Sequence, residues 1–147
     1  MQRRTASMED YLEAIMLLDR EREGATVTSI SHFLDVKKPS VTAALSKLSE
    51  SELVEHQRYG TVALTAEGRR TACDVYHRHT TLLSFLTDVL GVDARTAEED
   101  ACRLEHNLSA ASVVKLTDFV ASNIAEKEKD DKQTLKRTGR RPESTHC

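Results

Sequence analysis

Proline and glycine are scarce in this 147-residue chain, at two and five, and only three cysteines are present. Few residues therefore force turns, and alanine, leucine, glutamate, lysine and arginine abound, so helix should dominate. The cysteines stand at 73, 102 and 147 and form neither a CxxC pair nor a disulfide framework, so a reducing, cytoplasmic setting is expected. No apolar run approaches the roughly 20 residues that span a bilayer, and no signal peptide is recognised, so no membrane partner is expected. An excess of positive charge is missing too. The net charge is -3 and the pI near 6.1, which does not announce a nucleic-acid binder and leaves that question to local patterning.

At 39% hydrophobic, the chain can hold one good core or two small ones. Tyr11, Leu12, Ile15, Met16 and Leu18 recur at helical spacing up to about Arg22, behind a cap-like Ser7, and Gly24 ends that helix. Asp10 and Glu13 are three apart and share one face beside the apolar stripe. Taken singly, Asp10 is a first-turn acid facing the helix dipole and Glu13 an ordinary solvated acid.

Residues 27–34 form a short helix with Thr28 or Ser29 as its cap, residues 35–38 a turn, and Pro39 opens a further helix at its first position. Val41, Ala44, Leu45 and Leu48 are its apolar stripe, opposite Ser40, Thr42, Ala43, Ser46 and Lys47. From Val36 to Leu48 there are three lysines and no acid, a local contrast with the acidic whole. Residues 53–58 and 61–65 alternate as two strands around Tyr59-Gly60. Helix, turn, helix and hairpin in that order predict a winged helix-turn-helix, with Arg58 and Tyr59 at the wing tip. Its expected partner is double-stranded DNA. The candidate contacts are Lys37, Lys38, Pro39, Ser40, Thr42, Lys47 and Arg58, the lysines and Arg58 for phosphates and the helix start for bases or backbone.

Thr65 caps a long helix over about residues 66–90. His77 and His79 lie about 200° apart on it, so at most one faces a given ion. Residues 91–93 break the run, and Thr96 caps a helix carrying Glu99-Asp100-Ala101-Cys102-Arg103-Leu104-Glu105-His106. Cys102, Glu105 and His106 point one way, as do Glu99 and Cys102. A thiolate, a carboxylate and an imidazole on one face suit a divalent transition metal, although a buried cysteine beside a solvated Glu-His pair fits the octet as well. Asp10, Glu13 and His79, on other helical segments with no other evident task, add weight to the metal. After a break at 107–109, residues 110–126 form a last amphipathic helix. From residue 127 a charged tail is expected, mobile overall and helical at most at its start.

These pieces combine into a mainly α fold with a small β-hairpin: a winged helix-turn-helix domain over 1–70, an all-helical domain over 71–126 and the tail over 127–147. Met8-Glu9-Asp10-Tyr11-Leu12-Glu13, Pro39-Ser40-Val41-Thr42, Leu64-Thr65-Ala66-Glu67-Gly68, Tyr76-His77-Arg78-His79, Leu90-Gly91-Val92-Asp93 and the octet occur in one order. In this the chain resembles the diphtheria-toxin-repressor family of metal-dependent repressors, including its manganese transport regulator branch. The resemblance covers about residues 7–125. It implies a winged-helix DNA-binding domain, a helical dimerisation domain and a divalent metal as corepressor.

Ala101-Cys102-Arg103-Leu104-Glu105-His106 resembles the iron-sensing branch, which implies Cys102, Glu105 and His106 as ligands. Asp10 and Glu13 match the manganese branch, and His79 matches a ligand histidine of both. Leu83 and Glu98 stand where the iron branch has its second-site Glu and His. The implied corepressor is Mn(II) or Fe(II), with Zn(II) or Co(II) possible in vitro. The implied function is a repressor, not an enzyme, that binds a two-fold operator as a homodimer when metal is bound and controls metal homeostasis genes. Leu82, Phe85, Leu86 and Val113 exceed what one small helical unit needs to bury, which fits a dimer. No small organic substrate is expected. A metalloenzyme could use the same ligands, but no dedicated general base accompanies them. The alternative is a metal-independent winged-helix regulator answering another ligand.

Overall fold

The computed structural model describes residues 6–21, 24–57 and 60–138. They fall into two compact units, residues 1–77 and 78–147. The first holds α1 (Met8–Leu18), β1 (Ala25–Thr26), α2 (Val27–Leu34), α3 (Lys38–Glu50), β2 (Val54–His56) and β3 (Thr61–Leu64). It is followed by α4 (Ala66–Ser84), a π-helical turn (Phe85–Val89), α5 (Ala94–Leu104) and α6 (Ala110–Thr138). The chain is thus mainly helical with one small sheet.

Ser7 starts α1 by a capping box in which its hydroxyl accepts from Asp10 N–H at 3.2 Å and Asp10 Oδ2 accepts from Ser7 N–H at 2.6 Å. Satisfying two orphan donors reciprocally fixes where the helix begins. For α2 the cap is Thr26 rather than Thr28 or Ser29, and Ser29 completes a second capping box with it. Thr26 also belongs to β1, a third strand that alternation could not reveal in two residues. The sheet order is β1-β3-β2, antiparallel throughout, with Ala25 opposite Val62 and Val54 opposite Leu64. Asp35 ends α2 in the left-handed conformation, at φ 51°. Ser31 ties the following turn by donating to Val36 O at 2.6 Å. Lys37 is the N-cap of α3, so Pro39 sits second in the helix, where its missing N–H still costs nothing.

Leu12, Ile15, Ile30, Val41, Leu45, Leu48, Val54 and Val62 form one buried cluster, so α1, α2, α3 and the sheet share a core. Gly68 closes the unit: a Cβ there would collide with the carbonyl oxygen of Leu53, which already accepts from Thr65 N–H at 3.0 Å. Thr65 caps α4 as expected, accepting from Gly68 N–H at 3.1 Å. Arg58 and Tyr59, the expected wing tip, lie outside the described residues.

In the second unit Leu82, Leu86, Ala97 and Ala101 form a smaller core, with Leu83, Phe85, Val92, Leu108 and Leu116 against it. The Thr87 hydroxyl donates to Leu83 O at 2.9 Å, competing with the helical ladder where the π-helical turn lies. Asp93, not Thr96, caps α5, by accepting from Thr96 N–H at 3.0 Å. The last helix does not stop near Glu126. It continues to Thr138, because the glutamates and lysines that make the segment polar are also good helix formers.

Candidate metal centre and DNA-binding face

His79 on α4 and Glu98, Cys102 and Glu105 at and beyond α5 converge in the second unit. His79 Nδ1 lies 2.9 Å from Glu105 Oε2, and its Nε2 lies 3.0 Å from Glu98 Oε1. Cys102 Sγ is 3.8 Å from His79 Nδ1. The other Glu105 oxygen, Oε1, is 3.1 Å from His106 Nε2. Donor atoms of His79, Glu98 and Cys102 all lie within 4.8 Å of one another.

Helix geometry explains the grouping. At about 100° per residue, Glu98 and Glu105 fall on one side of Cys102 and within some 20° of each other, whereas Glu99 falls on the opposite side. His79 approaches from the Glu98 and Glu105 side. Glu99 instead pairs with Arg95 at 3.7 Å on the surface, as an i,i+4 couple. The sequence reading placed Glu99 with Cys102 and treated Glu98 as a departure from a family pattern. The signal that points to Glu98 is its i, i+4, i+7 spacing with Cys102 and Glu105. His77 is exposed, as its opposite angle on α4 requires.

Glu105 is 1% exposed, and a carboxylate so enclosed is stable only with a positive partner or a proton. His79 supplies the charge. Both of its ring nitrogens face carboxylate oxygens, which favours the doubly protonated ring. Hydrogen bonds to Cys102 and to Glu105 push its pKa up to about 11, against the opposing effect of burial. Imidazole, thiol and two carboxylates within a few ångströms are N, S and O donors of the kinds that bind divalent transition metals, so the residues present fit such an ion. Asp10 and Glu13 belong to the first unit. Asp10 spends one oxygen on the Ser7 cap, and Glu13 is half-buried on α1.

On α3, Lys37 at its cap and Lys38, Pro39, Ser40, Thr42 and Lys47 are all exposed, opposite the buried Val41, Ala44, Leu45 and Leu48. The Thr42 hydroxyl donates to Lys38 O at 3.2 Å. Arg58 lies outside the described residues. Among the described residues no helix is long and apolar enough to cross a membrane.

A winged helix-turn-helix in one unit and a cluster of side chains that could hold a metal in the other are the arrangement of regulators whose DNA binding answers to a metal ion. Comparison with known proteins agrees. Residues 4–62 match the N-terminal DNA binding domain of iron dependent repressors, and residues 65–131 match their metal binding and dimerisation domain. The HTH-type transcriptional regulator MntR of Bacillus velezensis is 33% identical over 140 residues, 95% of this chain and 96% of that one. An HTH-type regulator of Methanocaldococcus jannaschii is 36% identical over 115 residues, 78% of this chain and 92% of its own length. Among solved structures, the manganese regulator SloR superposes with a TM-score of 0.74 at 30% identity, covering 80% of this chain and 55% of SloR. IdeR of T. acidophilum gives 0.72 at 27% identity, covering 80% of this chain and 55% of IdeR. The chain therefore spans about half the length of these solved relatives. It belongs to the diphtheria-toxin-repressor and manganese-transport-regulator family of metal-dependent transcriptional repressors, which are regulators and not enzymes.

Proposed function

We propose that this chain is a cytoplasmic repressor that senses Mn(II) or Fe(II), binds a two-fold DNA operator as a homodimer when loaded and controls metal homeostasis genes. The observation that supports it most is the buried Glu105 between His79 and His106, with Cys102 and Glu98 beside them. His79, Glu98, Cys102, Glu105 and His106 would hold the ion, and family resemblance adds Asp10 and Glu13. When bound, a divalent cation supplies positive charge and fixed coordination directions to these donors.

The chain's own groups do the rest. Without the cation, the His79 proton neutralises Glu105 and keeps the cluster tolerable in the interior. Loading requires that proton to leave, so a buried charge pair is exchanged for a rigid set of donors. A rigid dimer holds its two recognition helices at one spacing, and a two-fold operator demands a spacing near one turn of DNA, about 34–36 Å. A few kcal/mol of differential affinity suffices to shift such a population. Carboxylates and imidazole suit Mn(II) and Fe(II). The Cys102 thiolate shifts preference toward Fe(II), and in vitro toward Co(II) or Zn(II).

Support for the dimer comes from apolar side chains left outside. Leu82 and Leu86, expected to exceed the unit's own needs, are spent on its core. Leu90, Leu104, Val114, Phe119 and Ile124 are exposed instead. Large apolar side chains left exposed in this number are candidates for an association surface.

The deciding experiment is capture of genomic DNA fragments by chelator-treated protein, with and without Mn(II), Fe(II), Co(II) or Zn(II). Retention of specific fragments only with metal is expected. Tight retention in chelator would establish the metal-independent regulator instead.

A further inference from the structure

A cavity of about 440 Å³ opens in the first unit between α3 and the wing strand β2. Leu45 and Val27 form its floor. Thr42, Ser46 and Ser49 line its α3 wall, His56 lines the wing side, and Glu50 stands among them at the last turn of α3. Strand alternation puts His56 on the same face of β2 as the buried Val54, which is why it turns toward α3. Thr42 already spends its donor on Lys38 O. Among the described residues the structure shows no hydrogen-bond partner for the side chains of Ser46, Ser49 or His56. Three polar side chains thus face one open space on the flank of α3.

We propose that this cavity seats a backbone phosphodiester of bound DNA, with Ser46, Ser49 and His56 as its donors and Glu50 as the group that limits its strength. The inference rests on the DNA-binding reading above and adds hydroxyl and imidazole contacts to the lysines. A phosphate between recognition helix and wing needs donors on both walls, and hydroxyl and imidazole N–H groups are common phosphate donors. Hydroxyl contacts carry no net charge, so the two serines hold the duplex in register without releasing counterions. Glu50 repels the same phosphate and keeps sequence-independent binding from dominating.

The test uses the full chain, Mn(II)-saturated, with a short fluorescein-labelled duplex of arbitrary sequence, by anisotropy across a salt series. Replacing both Ser46 and Ser49 by Ala should weaken binding about tenfold, and His56→Ala about threefold, the scale of neutral hydrogen bonds. In the double-Ala variant the slope of log affinity against log salt should stay at the parent value, because a hydroxyl carries no charge. Glu50→Gln should tighten binding about threefold. Threonine at 46 and 49 keeps the hydroxyls, so that variant should recover most of the parent affinity. A double-Ala variant and a His56→Ala variant both within twofold of the parent would overturn the seat, as would failure of the Thr variant to recover. If those variants match a parent that itself binds well, this inference alone falls. If the parent binds no duplex with or without metal, the DNA-binding reading falls and takes the seat with it.

Discussion

His79 Nδ1 lies 2.9 Å from Glu105 Oε2 while the two side chains are 11% and 1% exposed, so an ion pair has been taken out of water within the second unit. Breaking such a pair from one side leaves the other charge uncompensated, which costs more than the pair itself contributes. Glu105→Gln keeps the shape and removes the charge. It should destabilise the metal-free chain by about 3 kcal/mol at neutral pH, the low end for a buried pair losing one partner. Urea denaturation of the chelator-treated protein measures it, and a change under about 0.5 kcal/mol would mean that His79 does not carry a charge there.

The same pair sets a pH dependence. His79 is raised above the roughly 6.5 of an unfolded histidine, so the stability it contributes is fully present below that value and is lost as pH rises through about 11. An entering cation must displace this proton. Apparent metal affinity should therefore climb with pH between neutrality and mild alkali, and His79→Gln should lower the affinity and remove about one proton from the count released. Calorimetric titration in buffers of different ionisation enthalpy reads that count. An identical proton count in parent and variant would show that His79 is no ligand.

Cys102 should tune which metal acts. Cys102→Glu exchanges a soft donor for a hard one, so Mn(II) response should persist or improve while Zn(II) and Co(II) affinity falls. Cys102→Ala should weaken every metal, and Glu98→Ala should do so too if Glu98 joins the set. His106→Ala should abolish metal-dependent DNA binding with helix content by circular dichroism unchanged. Equal affinities for each metal in Cys102→Ala and the parent would leave the thiol as a packing residue.

On the DNA face, Lys38→Ala should weaken binding to all sequences and flatten the salt slope by about one unit. Changes at Ser40 or Thr42 should alter sequence preference more than bulk affinity. Anisotropy with several duplexes separates the two effects, and a salt slope unchanged by Lys38→Ala removes that lysine from the phosphate contacts.

The chain should sediment as a dimer at micromolar concentration through its helical unit. Val114 is 57% exposed in the protomer, so Val114→Glu should leave the fold intact while shifting the chain toward monomer. Monomer for the parent with and without metal would remove the two-fold operator from the proposed function.

Residue types and their spacing along single elements carried much of this protein. Alternation and helical periodicity were enough to lay out the helix-turn-helix and its hairpin, because each depends on contacts a few residues apart. Cys102, Glu105 and His106 stood out as candidates for the same reason, all three lying within two helical turns. Tertiary structure decided what depends on a neighbour from elsewhere in the chain. Whether Glu98 or Glu99 joined the cluster turned on the side from which α4 approached α5, and only the placement of His79 settled it. The charge on His79 likewise follows from Cys102 and Glu105, 23 and 26 residues away in sequence, which hydrogen-bond its ring. Which leucines fill the core and which stay outside is equally nonlocal. A helix stripe is wider than the neighbour that covers it, so the sequence names the stripe and the packing chooses the residues.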